Sequence, residues 1–185
     1  MLHTCTYLLM EGTSNQTLTH KIFNLGSDDE KAWTPPPANV VRIDVDGSVR
    51  YQQQAACGGV IRDSQGCWLM GFNKSLGLHI VLEAEIYAIM HGLKLYRQMG
   101  FQRIVLYSDS LDAVNTLMRD CHMDHPLRGI IGETRDLLYG DWNVELHYTS
   151  RENISCADYM AKQGHDAPTD ADMILVPLVL LSLLC

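Results

Sequence analysis

The chain has 185 residues, 46% of them hydrophobic and 19% charged, and a formal net charge of −8. That is the composition of a soluble globular protein with one sizeable core, not of a fibrous or disordered chain. A surface that grips a phosphate backbone by charge alone is basic, so any nucleic-acid site here has to be local or assisted by bound cations.

The first 38 residues show no sustained hydrophobic period, and Pro35, Pro36 and Pro37 make a stiff break; residues 1–38 read as a poorly structured segment or linker. The opening MLHTCTYLLMEG has neither a basic start nor a small-residue cleavage site, so it is not read as a signal peptide. From Val40 the pattern sharpens. Val41, Ile43 and Val45 alternate with Arg42, Asp44 and Asp46, the period of a strand. Cys57 to Arg62 is a second strand, Asp63 to Gly66 a turn, and Cys67 to Phe72 a third strand, together an antiparallel hairpin. Leu82, Ile86, Ile89, Leu93 and Tyr96 predict a helix over 82–99, stopped by Gly100. Arg103 to Tyr107 is a short buried strand, and Ser110 to Met118 a helix. Pro126 marks a helix start, with Leu127, Ile130, Ile131, Thr134 and Leu138 as its stripe. Trp142 to Tyr148 is a strand, and 155–163 the last helix. Ser155 and Asp158 there have capping-box-like spacing, and Gly164 is the stop.

The order β-β-β-α-β-α-α-β-α predicts a mixed α/β domain over 39–166, with helices on the faces of a mixed sheet. The tail, 167–185, is apolar from Met173 to Leu184. It is too short to cross a bilayer and is interrupted by Pro177, so a packing helix or extended tail is expected, without membrane contact. The six cysteines, Cys5, Cys57, Cys67, Cys121, Cys156 and Cys185, contain no CxxC pair and read as reduced thiols. Cys121, His122 and His125 lie close together, but no second cluster completes a zinc spacing.

Four acids occupy places where packing would prefer something else. Asp46 ends the first strand and Asp109 the fourth; Glu85 and Asp158 lie near the starts of helices. Singly, each has a plain reading as a turn residue, a helix cap or a charge favoured by a helix N-terminus. Jointly, two strand ends and two helix starts can converge on one edge of a mixed sheet. Four carboxylates brought close repel unless cations sit among them, and such oxygen ligands suit magnesium or manganese.

Five motifs carry a resemblance: IDVDGS (Ile43–Ser48), CGGVIRDSQGCWLMGF (Cys57–Phe72), LEAEIYAIMHGL (Leu82–Leu93), IVLYSDSLDAV (Ile104–Val114) and RENISCADYMAKQG (Arg151–Gly164). In this order they resemble the ribonuclease H superfamily, above all the retroelement-derived, reverse-transcriptase-like type-1 domains abundant in plant genomes. WTPPPANVVRIDVDGS is similar to their lead-in. The resemblance covers about two-thirds of the chain. It implies a ribonuclease H-like fold, a five-stranded mixed sheet with its first three strands antiparallel. It further implies that Asp46, Glu85, Asp109 and Asp158 are the catalytic metal ligands, Asp46 bridging two Mg2+ ions, with Mn2+ as a substitute. The implied activity is an endonuclease hydrolysing the RNA strand of RNA–DNA hybrids and leaving a 5′ phosphate, in a nuclear or cytoplasmic monomer.

The chain also departs from the pattern. The family's histidine before the final arginine-glutamate falls on Tyr148, with His147 one residue earlier, which is expected to turn His147 from the metals. Ile154 stands where asparagine is usual, with Asn153 before it. Basic residues Arg119, Arg128, Arg135 and Arg151 are dispersed. These departures leave open a catalytically weak or inactive nucleic-acid-binding module, and more distantly a 3′–5′ exonuclease. Asp44, sharing a face with Asp46, reads as a polar-face residue, with a supporting or alternative ligand as the other reading; Glu83 reads as solvated, and Trp68 and Trp142 as core. Ser48, Ser108, Ser110 and Lys162 are candidate phosphate contacts, the serines more often caps.

Overall fold

The computed structural model describes residues 33–119, 124–168 and 174–176, the last three by their backbone. Alternation in the first strand becomes β1 (Val41–Val49), which pairs antiparallel with β2 (Gln54–Arg62), itself antiparallel to β3 (Trp68–Leu78). Helix α1 (Val81–Gln98) then carries the chain back across the sheet to β4 (Arg103–Ser108), which lies parallel to β1. Helices α2 (Leu111–Met118) and α3 (Arg128–Leu138) lead to β5 (Asn143–Tyr148), parallel to β4, and α4 (Ser155–Gln163) follows. The expected five-stranded mixed sheet is present in the order β5-β4-β1-β2-β3. A short sixth strand, β6 (Ile174–Val176), from the segment expected as an apolar tail, extends it at β3.

Strand period separates the two faces of this sheet. Ile43, Val45, Ile61, Phe72, Ile104, Leu106, Val144 and Leu146 point one way and bury against Ile86, Ile89, Leu93 and Tyr96 of α1, with Val114, Leu117, Ile131 and Leu138 from α2 and α3. The other face carries Val60 against Met160 of α4, and beside it a buried charge cluster. Arg42 Nε donates to Asp44 Oδ1 at 2.6 Å, Arg62 Nη1 approaches Oδ2 at 3.5 Å, and Trp33 Nε1 donates to Oδ2 at 3.0 Å. Arg42 Nη1 also holds the Thr34 carbonyl at 2.9 Å, so the lead-in from Trp33 is tied to the sheet. Asp44 is therefore neither a ligand nor a solvated polar-face residue: it is the buried anion between two arginines.

Several boundaries differ from expectation. β2 starts three residues earlier and β3 ends six later, because the pairing runs on through Ala56–Ser75 to Gln54–Leu78; Asn73-Lys74-Ser75 lies near the sheet edge, where apolar alternation is not required. Ser155 makes no cap hydrogen bond, since a 3-10 turn (Arg151–Ile154) feeds straight into α4. Gly100 does stop α1 in the left-handed region at φ 79°. Gly164 instead has φ −60° and leads into a further 3-10 turn; a side chain there would meet the Lys74 carbonyl at 2.9 Å. Cys57 and Cys67 are free thiols. Cys156, expected reduced, is disulfide-bonded. Residues 1–32, Cys121, His122 and 177–185 also lie outside it.

Candidate metal centre

β4 ends at Ser108, level with Val45 of its parallel neighbour β1, and the carboxylates gather there; Asp46, expected to end the first strand, lies within β1, which runs on to Val49 in its pairing with β2. Asp46 sits on the α4 face of β1, opposite Gly58 of β2. Asp109 follows the last residue of β4, and Ser110 Oγ caps α2 by accepting from Ala113 N–H at 3.2 Å, which fixes the turn around it. Glu85 arrives from the opposite face, just past the first turn of α1. Its Oε2 accepts from Gly47 N–H at 3.1 Å. That approach depends on a missing side chain, because a Cβ on Gly47 would lie 2.6 Å from the Ala84 carbonyl carbon and the Glu85 nitrogen. Gly58 does the same for α4: a Cβ there would lie 2.3 Å from Ala161 N, and α4 carries Asp158.

One oxygen each from Asp46, Glu85 and Asp109 lies within 4.8 Å of the others. Asp46 is buried, and neither of its oxygens meets a donor. A buried carboxylate without donors is costly, and burial pushes Asp46 up to about 7, with the charges of Asp109 and Asp158 adding to the rise. Burial likewise pushes Glu85 up to about 9, helped by Asp46 and Asp109 and opposed by the Gly47 N–H. Asp109 is raised by burial against the pull of Arg151. Hard oxygens clustered this closely are the donor set of a magnesium or manganese site, so these three residues fit such an ion.

Asp158 stands apart from the three. Its charge reaches Asp46 and Asp109, but its oxygens face Arg151 and, at 2.5 Å, Lys162 Nζ. Burial alone would raise its pKa; the two cations hold it below the ordinary carboxylate range. Lys162, four residues on along α4, is thus paired with Asp158, a contact the helical repeat makes legible. Arg151 also stands 3.9 Å from Asp109 Oδ2. Its place between two acids was not readable from sequence, where it is one of several scattered arginines.

The remaining candidates have other tasks. Ser108 Oγ accepts from Ser110 N–H at 3.1 Å, and Ser48 Oγ lies 3.0 Å from His165 Nε2. Glu83, expected solvated, accepts from Ile80 N–H at 3.1 Å and so closes the start of α1. His147 shares the sheet face of Asp44 and Asp46 through its pairing with Tyr107. It stacks on Tyr107 with ring centroids 5.1 Å apart, its Nε2 lies 3.3 Å from Glu145, and it lines a cavity of about 270 Å3 with Pro35, Pro36 and Arg42. Tyr148 packs against the main core. Asn153 is buried and donates to Thr149 Oγ1 at 3.0 Å, bracing the turn before α4.

A family model described as reverse transcriptase-like matches residues 44–164, a span that includes all four acids. The chain belongs to this ribonuclease H-like family. A protein of Arabidopsis thaliana named "Putative ribonuclease H protein" is 30% identical over 130 residues, 70% of this chain. The chain spans about a fifth of that relative, since the match covers 21% of it. Among solved structures, ribonuclease H1 from the archaeon Halobacterium salinarum is similar with a TM-score of 0.64 at 26% identity, over 69% of this chain and 98% of that one. LC11 ribonuclease H1, solved in complex with an RNA/DNA hybrid, shares the fold with a TM-score of 0.61 at 20% identity, over 68% of this chain and 96% of its own. The ribonuclease H-like fold expected from the motifs is thus the fold of this family member. Among the described residues, no helix is long and apolar enough to cross a membrane.

Proposed function

We propose that this chain is a metal-dependent endonuclease that hydrolyses the RNA strand of RNA–DNA hybrids. The observation that carries the reading is the set of three oxygens from Asp46, Glu85 and Asp109 within 4.8 Å, with Asp46 buried and lacking donors, where the parallel pairing of β1 and β4 ends in a ribonuclease H-like fold. Crevices at such strand ends are where open α/β sheets bind ligands. Asp46, Glu85, Asp109 and Asp158 would hold two Mg2+ ions, with Mn2+ as substitute. Bound there, the ions supply the positive charge that makes water a nucleophile at neutral pH and that stabilises the leaving oxygen. Asp46 offers its two unpartnered oxygens, Gly47 N–H orients Glu85, and Asp109 stands just past the end of β4. The local cations also answer the difficulty that a chain of net charge −8 has in meeting a polyanion.

A second reading, a weak or inactive nucleic-acid-binding module, is favoured by His147, which is engaged with Tyr107 and Glu145, and by the core packing of Tyr148. A labelled RNA–DNA hybrid separates the two. Purified chain with magnesium or manganese is expected to cut the RNA strand, and Asp109→Asn to lower cleavage by at least about a hundredfold while hybrid binding survives. Folded protein that binds hybrid but cleaves nothing with either metal would leave the second reading standing.

A further inference from the structure

The four acids are not equivalent in this structure. Both oxygens of Asp46 lack donors, whereas both oxygens of Asp158 are occupied, one by the Arg151 guanidinium and the other by Lys162 Nζ at 2.5 Å. Arg151 reaches beyond Asp158 to within 3.9 Å of Asp109 Oδ2, so it spans the two acids on the open side of the cluster. The arginine side chain is 62% exposed while Asp158 is only 16% exposed. Arg151 can therefore swing into solvent at little loss of packing; Asp158 cannot follow, because α4 is pressed on Gly58.

We propose that Arg151, assisted by Lys162, is the resident counter-ion of the second cation position. The inference rests on the metal-centre reading above. A divalent ion entering among Asp46, Glu85 and Asp109 meets Arg151 at the rim, 3.9 Å from Asp109 Oδ2, with no hydrogen bond from it to any of the three acids. An ion that also needs Asp158 competes with a guanidinium for the same oxygens, and two cations a few ångströms apart repel strongly in a partly buried site. The ions therefore load in order, and the strength of the Arg151–Asp158 pair bears on the second far more than the looser Arg151–Asp109 approach bears on the first.

Manganese titration of the full chain, followed by the electron paramagnetic resonance of free Mn2+, tests this without relying on cleavage. The wild type is expected to show a tight and a weak class of site. Arg151→Gln should tighten the weak class about tenfold, within the usual range of site–site coupling, and shift the tight class much less. Lys162→Gln should move the weak class in the same direction by less, and Asp158→Asn should abolish it. Arg97→Gln, which removes an equal charge from the exposed last turn of α1, should leave both classes in place. With the fold verified by circular dichroism, equal shifts of both classes in Arg151→Gln, or no shift, would overturn the counter-ion role. A single site in the wild type that becomes two in Arg151→Gln would support it; a single site in both would overturn it. Folded wild type that takes up no manganese at all would overturn the metal-centre reading instead.

Discussion

Asp44 and Asp46 are two residues apart on one face of β1, each 1% exposed, yet their surroundings are opposite. Asp44 is enclosed by Arg42, Arg62 and Trp33; Asp46 is enclosed by other acids. Removing a charge should therefore act with opposite sign at the two positions. Asp44→Asn leaves buried guanidinium groups short of their anion and is expected to destabilise by about 3–5 kcal/mol. Asp46→Asn relieves carboxylate repulsion and should stabilise the metal-free protein by about 1–3 kcal/mol above neutral pH, while removing metal binding. Urea unfolding in a chelator measures both, and shifts of the same sign would refute the contrast. The IDVDGS motif singles out Asp46, but nothing in it announces the ion network of Asp44, because Trp33 and Arg62 are brought there by the fold, from 11 and 18 residues away.

At the scale of elements, the centre depends on how closely two helices approach two strands. Gly47 lets the first turn of α1 touch β1, and Gly58 lets α4 touch β2, in each case with backbone atoms where a Cβ would stand. Backbone cannot move aside as a flexible side chain can, so Gly47→Ala is expected to destabilise by about 1–3 kcal/mol and to weaken the tight manganese class by displacing Glu85. Gly58→Ala should cost a similar amount and weaken only the class that uses Asp158. Chemical unfolding paired with manganese titration checks the assignment; loss of the same class in both variants would show that the helices do not act separately. Helix α1 was legible to within one residue because its apolar stripe is dense, and α4 because polar spacing and Gly164 bracket it. The full length of β2 and β3 was not, since cross-strand hydrogen bonds extend them past the apolar run. The role of Gly47 was half visible: DGS marks a motif, but not the helix that leans on it.

For the whole molecule, the buried acids tie stability to pH. A carboxyl whose pKa is raised by folding keeps its proton in the native state after the unfolded chain has lost it. The native state then binds more protons, and stability falls as pH rises. With Asp46 at about 7 and Glu85 at about 9, their contribution is complete below the ordinary carboxylate range near about 4 and is lost through about pH 7 to about 9. Metal-free protein should thus melt at lower temperature as pH rises across that window. Magnesium, which competes with those protons, should raise the melting temperature more at about pH 9 than at about pH 6. Thermal melts with and without chelator test this; a metal-free melting temperature that climbs with pH would contradict it. The kind and order of the core elements and the family were determined by sequence alone, and the motifs named the four candidate acids, because hydrophobic period, turns and short motifs are written within a few neighbouring residues. The tertiary structure decided which oxygens meet, that Asp158 is held by Arg151 and Lys162, and that Asp44 lies buried in an ion network. Those outcomes depend on distances between groups far apart in the chain, and electrostatic state follows from such distances and from burial, neither of which a residue's neighbours in sequence specify.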